Sequence, residues 1–191
     1  MTNLTRRSFV KTAASTVAIP TVLTRMGYAH TAANDRITLG FIGLGMMGRG
    51  HLGAFLGYQD CQVVALADVV KERLEDSANR VNTQYKSDSA NGVATYADYR
   101  EIIARDDIDA VVIATPDHWH AIPVIQAANT GKDIYCEKPL THNVVEGRKI
   151  VEACTKNKTV FQVGSQQRSE FGGRFRRAVE LVRNGRVGKI H

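Results

Sequence analysis

The stretch from Arg36 to Ile42 reads Arg-Ile-Thr-Leu-Gly-Phe-Ile and runs straight into Gly43-Leu44-Gly45-Met46-Met47-Gly48. No other junction in the chain limits the fold as severely. A short buried-strand pattern followed by glycines at the first, third and sixth places needs a strand, a tight turn and a helix in immediate succession. Gly43 permits the turn, Gly45 lets backbone approach a pyrophosphate with no side chain between, and Gly48 lets the helix pack on the strand. The helix is predicted to start near Met46, so that its unpaired N–H groups and positive dipole end face a phosphate. The loop residues Gly43, Leu44, Gly45, Met46, Met47 and Gly48 are therefore candidate binders of a dinucleotide.

The second strand, Cys61 to Ala67, ends on Asp68, twenty residues beyond Gly48. That is where a carboxylate accepts hydrogen bonds from the adenosine ribose hydroxyls. A carboxylate repels a 2′-phosphate, and Val69 and Val70 offer no guanidinium to hold one, so the position favours NAD over NADP; Lys71 is the residue that argues the other way. Asp68 has an alternative duty as N-cap of a helix over Lys71 to Gln84.

Strand and helix patterns then alternate. Asp98 with Glu101 opens a helix at Tyr99, Asp109 to Thr115 is a strand, Ala121 to Asn129 a helix, Asp133 to Cys136 a strand, Asn143 with Glu146 opens a helix to about Lys156, and Thr159 to Gly164 is a strand. Such alternation predicts an α/β chain with a doubly wound parallel sheet, a Rossmann fold with helices on both faces and ligands at the carboxyl ends of the strands.

Three polar clusters fall at those ends: Thr115-Pro116-Asp117-His118-Trp119-His120, Glu137-Lys138-Pro139 and Ser165-Gln166-Gln167-Arg168. With the glycine loop and Asp68, the ordered set Ala114-Thr115-Pro116, His120 and Glu137-Lys138-Pro139 resembles the Gfo/Idh/MocA oxidoreductases over residues 36 to 191. The resemblance implies that Lys138 is the catalytic lysine beside the nicotinamide, with Glu137 and Pro139 shaping its turn. It implies that Thr115, Pro116 and His120 line the ribose and nicotinamide region, and that Gln166 lies near the carboxamide. An ammonium beside a carbinol oxygen stabilises the charge that develops as hydride leaves, and it can relay the proton. The plain alternative for Lys138 is a solvated loop lysine.

The same resemblance implies NAD, with a sugar, glycoside or cyclic polyol as the small-molecule carbohydrate substrate. An NAD-dependent glycosidase without net redox and a non-catalytic nucleotide-binding module are the rival readings. Members of the family complete their site with an aspartate and a histidine from a second α/β domain. The chain is expected to be truncated before it, with residues 169–191 forming a linking helix and the first residues of that domain, and is expected to be inactive alone. The full-length form is open to homo-oligomerisation. His118 and His120 flank Trp119 without a carboxylate or thiolate at ligand spacing, so no metal site is assigned. Trp119 is either core or a platform beneath a sugar ring.

Charge narrows the partners. The net charge is +6, yet four of the 25 basic residues precede the first acidic one, Asp35, which leaves 21 against 19 in the remainder. A nucleic-acid-binding face is poorly supported by that balance. Residues 1–33 hold Arg6-Arg7-Ser8-Phe9-Val10-Lys11 and a diluted apolar run from Ala13 to Leu23, too short to span a bilayer. This segment resembles a twin-arginine export signal and implies a periplasmic or otherwise exported product of a Gram-negative bacterium; a disordered basic tail is the alternative. The dinucleotide-binding domain is expected over residues 34–168. Cys61, Cys136 and Cys154 are an odd number with no metal-like spacing, and the two in apolar strand-like runs, Cys61 and Cys136, read as small core residues.

Overall fold

The computed structural model describes residues 35–86, 92–168 and 171–189, so residues 1–33, where an export signal is expected, and His191 lie outside the described residues. Six strands form one parallel sheet: β1 (Ile37–Ile42), β2 (Cys61–Ala67), β3 (Ala94–Tyr96), β4 (Ala110–Ile113), β5 (Asp133–Glu137) and β6 (Phe161–Gly164), in the order β3-β2-β1-β4-β5-β6. This is the doubly wound arrangement expected from the sequence. The order reverses beside β1, and the crevice outside the carboxyl ends of β1 and β4 is where such sheets hold ligands.

The strands alternate with α1 (Met46–Phe55), α2 (Lys71–Tyr85), α3 (Tyr99–Ile103), α4 (Ala121–Asn129) and α5 (Val144–Asn157), and α6 (Arg174–Arg183) follows. Period-two alternation along the buried strands feeds two separate cores. Phe41, Leu66 and Val112 pack with Leu52 of α1 and Val81 of α2 on one face. Their neighbours Ile42, Ala65, Ala67, Val111 and Ile113 pack with Ile102, Val124 and Ile150 on the other. Cys61 and Cys136 are buried free thiols in these layers. Burial pushes the Cys136 thiol up to about 12, so it behaves as a small apolar residue.

The helix starts follow local chemistry, with two corrections. Asn143 Oδ1 accepts from the Glu146 N–H at 3.0 Å, and Glu146 Oε1 accepts in return from the Asn143 side chain at 2.9 Å. Asp98 instead accepts from the Arg100 N–H at 2.9 Å and pairs with the Arg100 guanidinium at 2.8 Å, so its side-chain partner is Arg100 and not Glu101. Asp68 is not the N-cap of α2, a position held by Val70; its Oδ1 accepts from the Val70 N–H two residues on. Strand β3 carries no apolar run of its own and is held by its register against β2, Ala65 to Ala94 through Ala67 to Tyr96. Among the described residues no helix is long and apolar enough to cross a membrane.

Candidate functional site

The carboxyl ends of β1, β2, β4 and β5 surround a cleft of about 550 Å³. Its walls bring together Gly43, Gly45, Met46, Met47, Asp68, Thr115, Pro116, Glu137 and Lys138, nine positions singled out from widely separated parts of the sequence.

The glycine loop is built as its spacing requires. Gly43 takes φ +90, a conformation that disfavours any L side chain, and a Cβ there would lie 2.8 Å from the backbone of Ala114 and Thr115. A Cβ on Gly48 would overlap the Gly43 carbonyl oxygen, so this glycine sets helix-to-strand packing and does not line the cleft. Gly45 has open space where a Cβ would stand. It is the N-cap of α1, and no side chain caps that helix, so the first-turn N–H groups remain available to an anion. Leu44 departs from the expected role: its side chain is wholly buried and its N–H donates to Asp68 Oδ2 at 2.6 Å. A backbone N–H already committed to a carboxylate does not face a phosphate.

Asp68 thus fastens the glycine loop through one oxygen and the start of α2 through the other. Each carboxylate oxygen retains a second lone pair for a ribose hydroxyl. Lys71, the residue weighed against NAD, stands 3.6 Å from Glu75 and outside the cleft wall. Arg73, in the first turn of α2, lines the same rim as Asp68 and went unnoticed in the sequence, because helical geometry and not adjacency to the strand end brings it there.

At the other end of the cleft, Thr115 Oγ1 is buried with no hydrogen-bond partner among the described residues. A buried hydroxyl in that state is open to a partner from a ligand or water. Lys138 is exposed at the carboxyl end of β5, and among the described residues its ammonium has no partner. The Lys138–Pro139 peptide is cis. Trp119, in a single 3-10 turn over Asp117–Trp119, is 45% exposed and faces the cleft, which removes its reading as core.

Glu137 is nearly fully buried and accepts three hydrogen bonds: His51 Nε2 and Gln166 Nε2 each at 2.6 Å on Oε1, and the Lys138 N–H at 2.9 Å on Oε2. Burial pushes its carboxyl up, but these donors outweigh it and hold the group below its ordinary value. His51, one turn beyond Gly48 on α1, was missed in the sequence because its partner lies 86 residues away.

Two expected cofactor contacts are placed elsewhere. Gln166 spends its amide on Glu137 and on the Tyr135 hydroxyl, 3.2 Å from its oxygen, and does not line the cleft. His120 is buried behind the cleft wall, with Nδ1 2.8 Å from the Pro139 carbonyl oxygen and Nε2 2.7 Å from that of Thr115. The reason is the same in both: a polar group facing inward beside unpaired carbonyls or a carboxylate is retained by them. Among the described residues no three metal-ligating side chains gather.

Known proteins share this fold. Residues 37–165 match the model of the oxidoreductase family with an NAD-binding Rossmann fold, GFO_IDH_MocA. A glycosyl hydrolase family 109 protein of Shewanella pealeana is 31% identical over 156 residues, covering 82% of this chain and 34% of the relative. The crystal structure of myo-inositol 2-dehydrogenase from Lactobacillus plantarum superposes with TM-score 0.66 at 28% identity, covering 81% of this chain and 43% of that one. Scyllo-inositol dehydrogenase from Lactobacillus casei, crystallised with bound NAD(H) and scyllo-inositol, gives TM-score 0.64 at 25% identity over 81% and 43%. The chain spans less than half the length of these relatives.

Proposed function

Because the chain belongs to the Gfo/Idh/MocA oxidoreductase family and carries its NAD-binding Rossmann domain, we propose that it serves a dehydrogenase acting on a cyclic polyol or sugar, with Lys138 at the reacting carbon. The observation that carries this reading is the pairing, in one cleft, of an orphaned Thr115 hydroxyl and an unpartnered Lys138 ammonium with the open glycine loop and Asp68 at the far end.

The residues present fit NAD. The first turn of α1 would hold the pyrophosphate, Asp68 the adenosine ribose, and Thr115 the nicotinamide half. The chemistry supplied by the bound cofactor would be that of a hydride acceptor. The Lys138 ammonium would stabilise the negative charge that grows on the substrate oxygen as the hydroxyl proton is lost to solvent. Glu137 orients the turn by accepting from the Lys138 N–H through Oε2, while Oε1 holds His51 and Gln166. The bound polyol of the Lactobacillus casei neighbour supports the substrate class.

A second reading is supported by the Shewanella relative's name: cleavage of a glycoside with NAD retained and no net redox. One assay separates the readings. The protein is incubated with NAD and a panel of cyclic polyols, sugars and chromogenic glycosides. Accumulating reduced nicotinamide that disappears in Lys138→Ala is the result expected when the second α/β domain is present, and the domain alone is expected to bind NAD without turnover. Release of the chromophore without reduced nicotinamide supports the glycosidase instead. Neither product, with NAD still bound, leaves a cofactor-binding module.

A further inference from the structure

The ladder between β4 and β5 ends at the pair Ile113 and Cys136, and Thr115 and Lys138 follow two residues beyond it on either side. Among the described residues no backbone N–H reaches the carbonyl oxygens of Thr115 or Pro139. The His120 ring alone joins them, at 2.7 Å and 2.8 Å, from a position 1% exposed at the head of α4. Both partners are carbonyls, which only accept, so both contacts are satisfied at once only by a ring with hydrogen on both nitrogens.

We propose that His120 is a positioning residue: it donates from both ring nitrogens and clamps the wall bearing the Thr115 hydroxyl to the turn bearing Lys138, fixing the width of the cleft where the nicotinamide half is received. The inference rests on the reading that this cleft takes NAD. Its physical basis is the cost of leaving two carbonyls unpaired behind an active wall, together with the sensitivity of a binding constellation to displacements of an ångström or less. The Thr115 hydroxyl is free for a ligand because its residue is held through the carbonyl. Lys138 likewise needs no partner of its own, since its turn is held one residue later, at Pro139.

Two measurements test the clamp. In the unmodified protein with ¹⁵N-labelled histidine, nitrogen–proton correlation spectra should show hydrogen on both His120 ring nitrogens, assigned by their loss in His120→Gln. A ring with one bare nitrogen overturns the two-sided clamp. The second is calorimetric titration with NAD. His120→Ala should weaken binding about ten-fold or more, the equivalent of one lost hydrogen bond to a charged group. His120→Gln, with one amide nitrogen to donate, should recover part of the loss. Val124→Ala, a buried neighbour on α4 outside the clamp, should lower thermal stability and leave the affinity of the folded protein near that of the parent. Equal affinity losses in Val124→Ala and His120→Ala, or none in His120→Ala, overturn the proposal. If the unmodified protein binds no NAD, the reading of the cleft fails, and the ring signals still decide the clamp.

Discussion

His51 Nε2 lies 2.6 Å from Glu137 Oε1, with only 13% and 5% of the two side chains exposed, so the helix that follows the glycine loop is tied to the strand end that presents Lys138. A buried hydrogen bond to a carboxylate contributes roughly 1.5–3 kcal/mol. His51→Ala should destabilise the fold by about that amount in urea unfolding. The sign of the pH effect follows from the lowered Glu137 carboxyl. Its contribution is complete above the ordinary glutamate range and is lost as pH falls through the depressed value. Glu137→Gln should therefore flatten the acid limb of the stability profile, and an unchanged limb would contradict the assignment.

The glycines of the loop should separate on substitution. Gly48→Ala forces a Cβ into the Gly43 carbonyl, an overpacking that costs about 1–3 kcal/mol. Gly45→Ala meets nothing within 4 Å and starts from φ −67, so its stability should change by less than about 0.5 kcal/mol. Its NAD affinity should still fall about ten-fold or more, because the new methyl stands where the pyrophosphate approaches. Denaturant melts and titrations on the same samples check both halves.

Asp68 should set cofactor choice. The unmodified protein is expected to prefer NAD, since a carboxylate beside a 2′-phosphate is unfavourable. Asp68→Ser should narrow or reverse that preference, helped by Arg73 on the same rim. The same variant should also lose stability, because Asp68 accepts from Leu44 and Val70. Equal affinity of the unmodified protein for NAD and NADP would remove Asp68 as the determinant.

Export should depend on Arg6 and Arg7. Replacing both with Lys is expected to retain the precursor in the cytoplasm, as a twin-arginine signal requires. Undiminished delivery to the periplasm, followed by fractionation and immunoblotting, would refute the reading of residues 1–33 as such a signal.

Periodicity and glycine placement made the fold legible: strands with their own apolar run, such as Cys61–Ala67, and helices with their own caps, such as Asn143 with Glu146, needed no tertiary information. Ala94–Tyr96 is a strand only because β2 offers it an edge, which no local pattern records. Within the site, residues whose task is set by backbone geometry, Gly43 and Gly45, were legible for the same reason. Side chains at strand ends were harder. His120 and Gln166 sit at the expected ends yet turn inward to Thr115, Pro139 and Glu137. His51 and Arg73 reach the site only through the turn of a helix.

The proposed cleft places NAD with its adenosine ribose at Asp68 and its nicotinamide between Thr115 and Lys138. A crystal structure of the protein grown with NAD would decide this placement. Expected are pyrophosphate density against the first turn of α1, a hydrogen bond between the cofactor and Thr115 Oγ1, and the Lys138 ammonium beside the nicotinamide ring. A dinucleotide bound elsewhere, or bound in this cleft with its nicotinamide at Asp68, would contradict it.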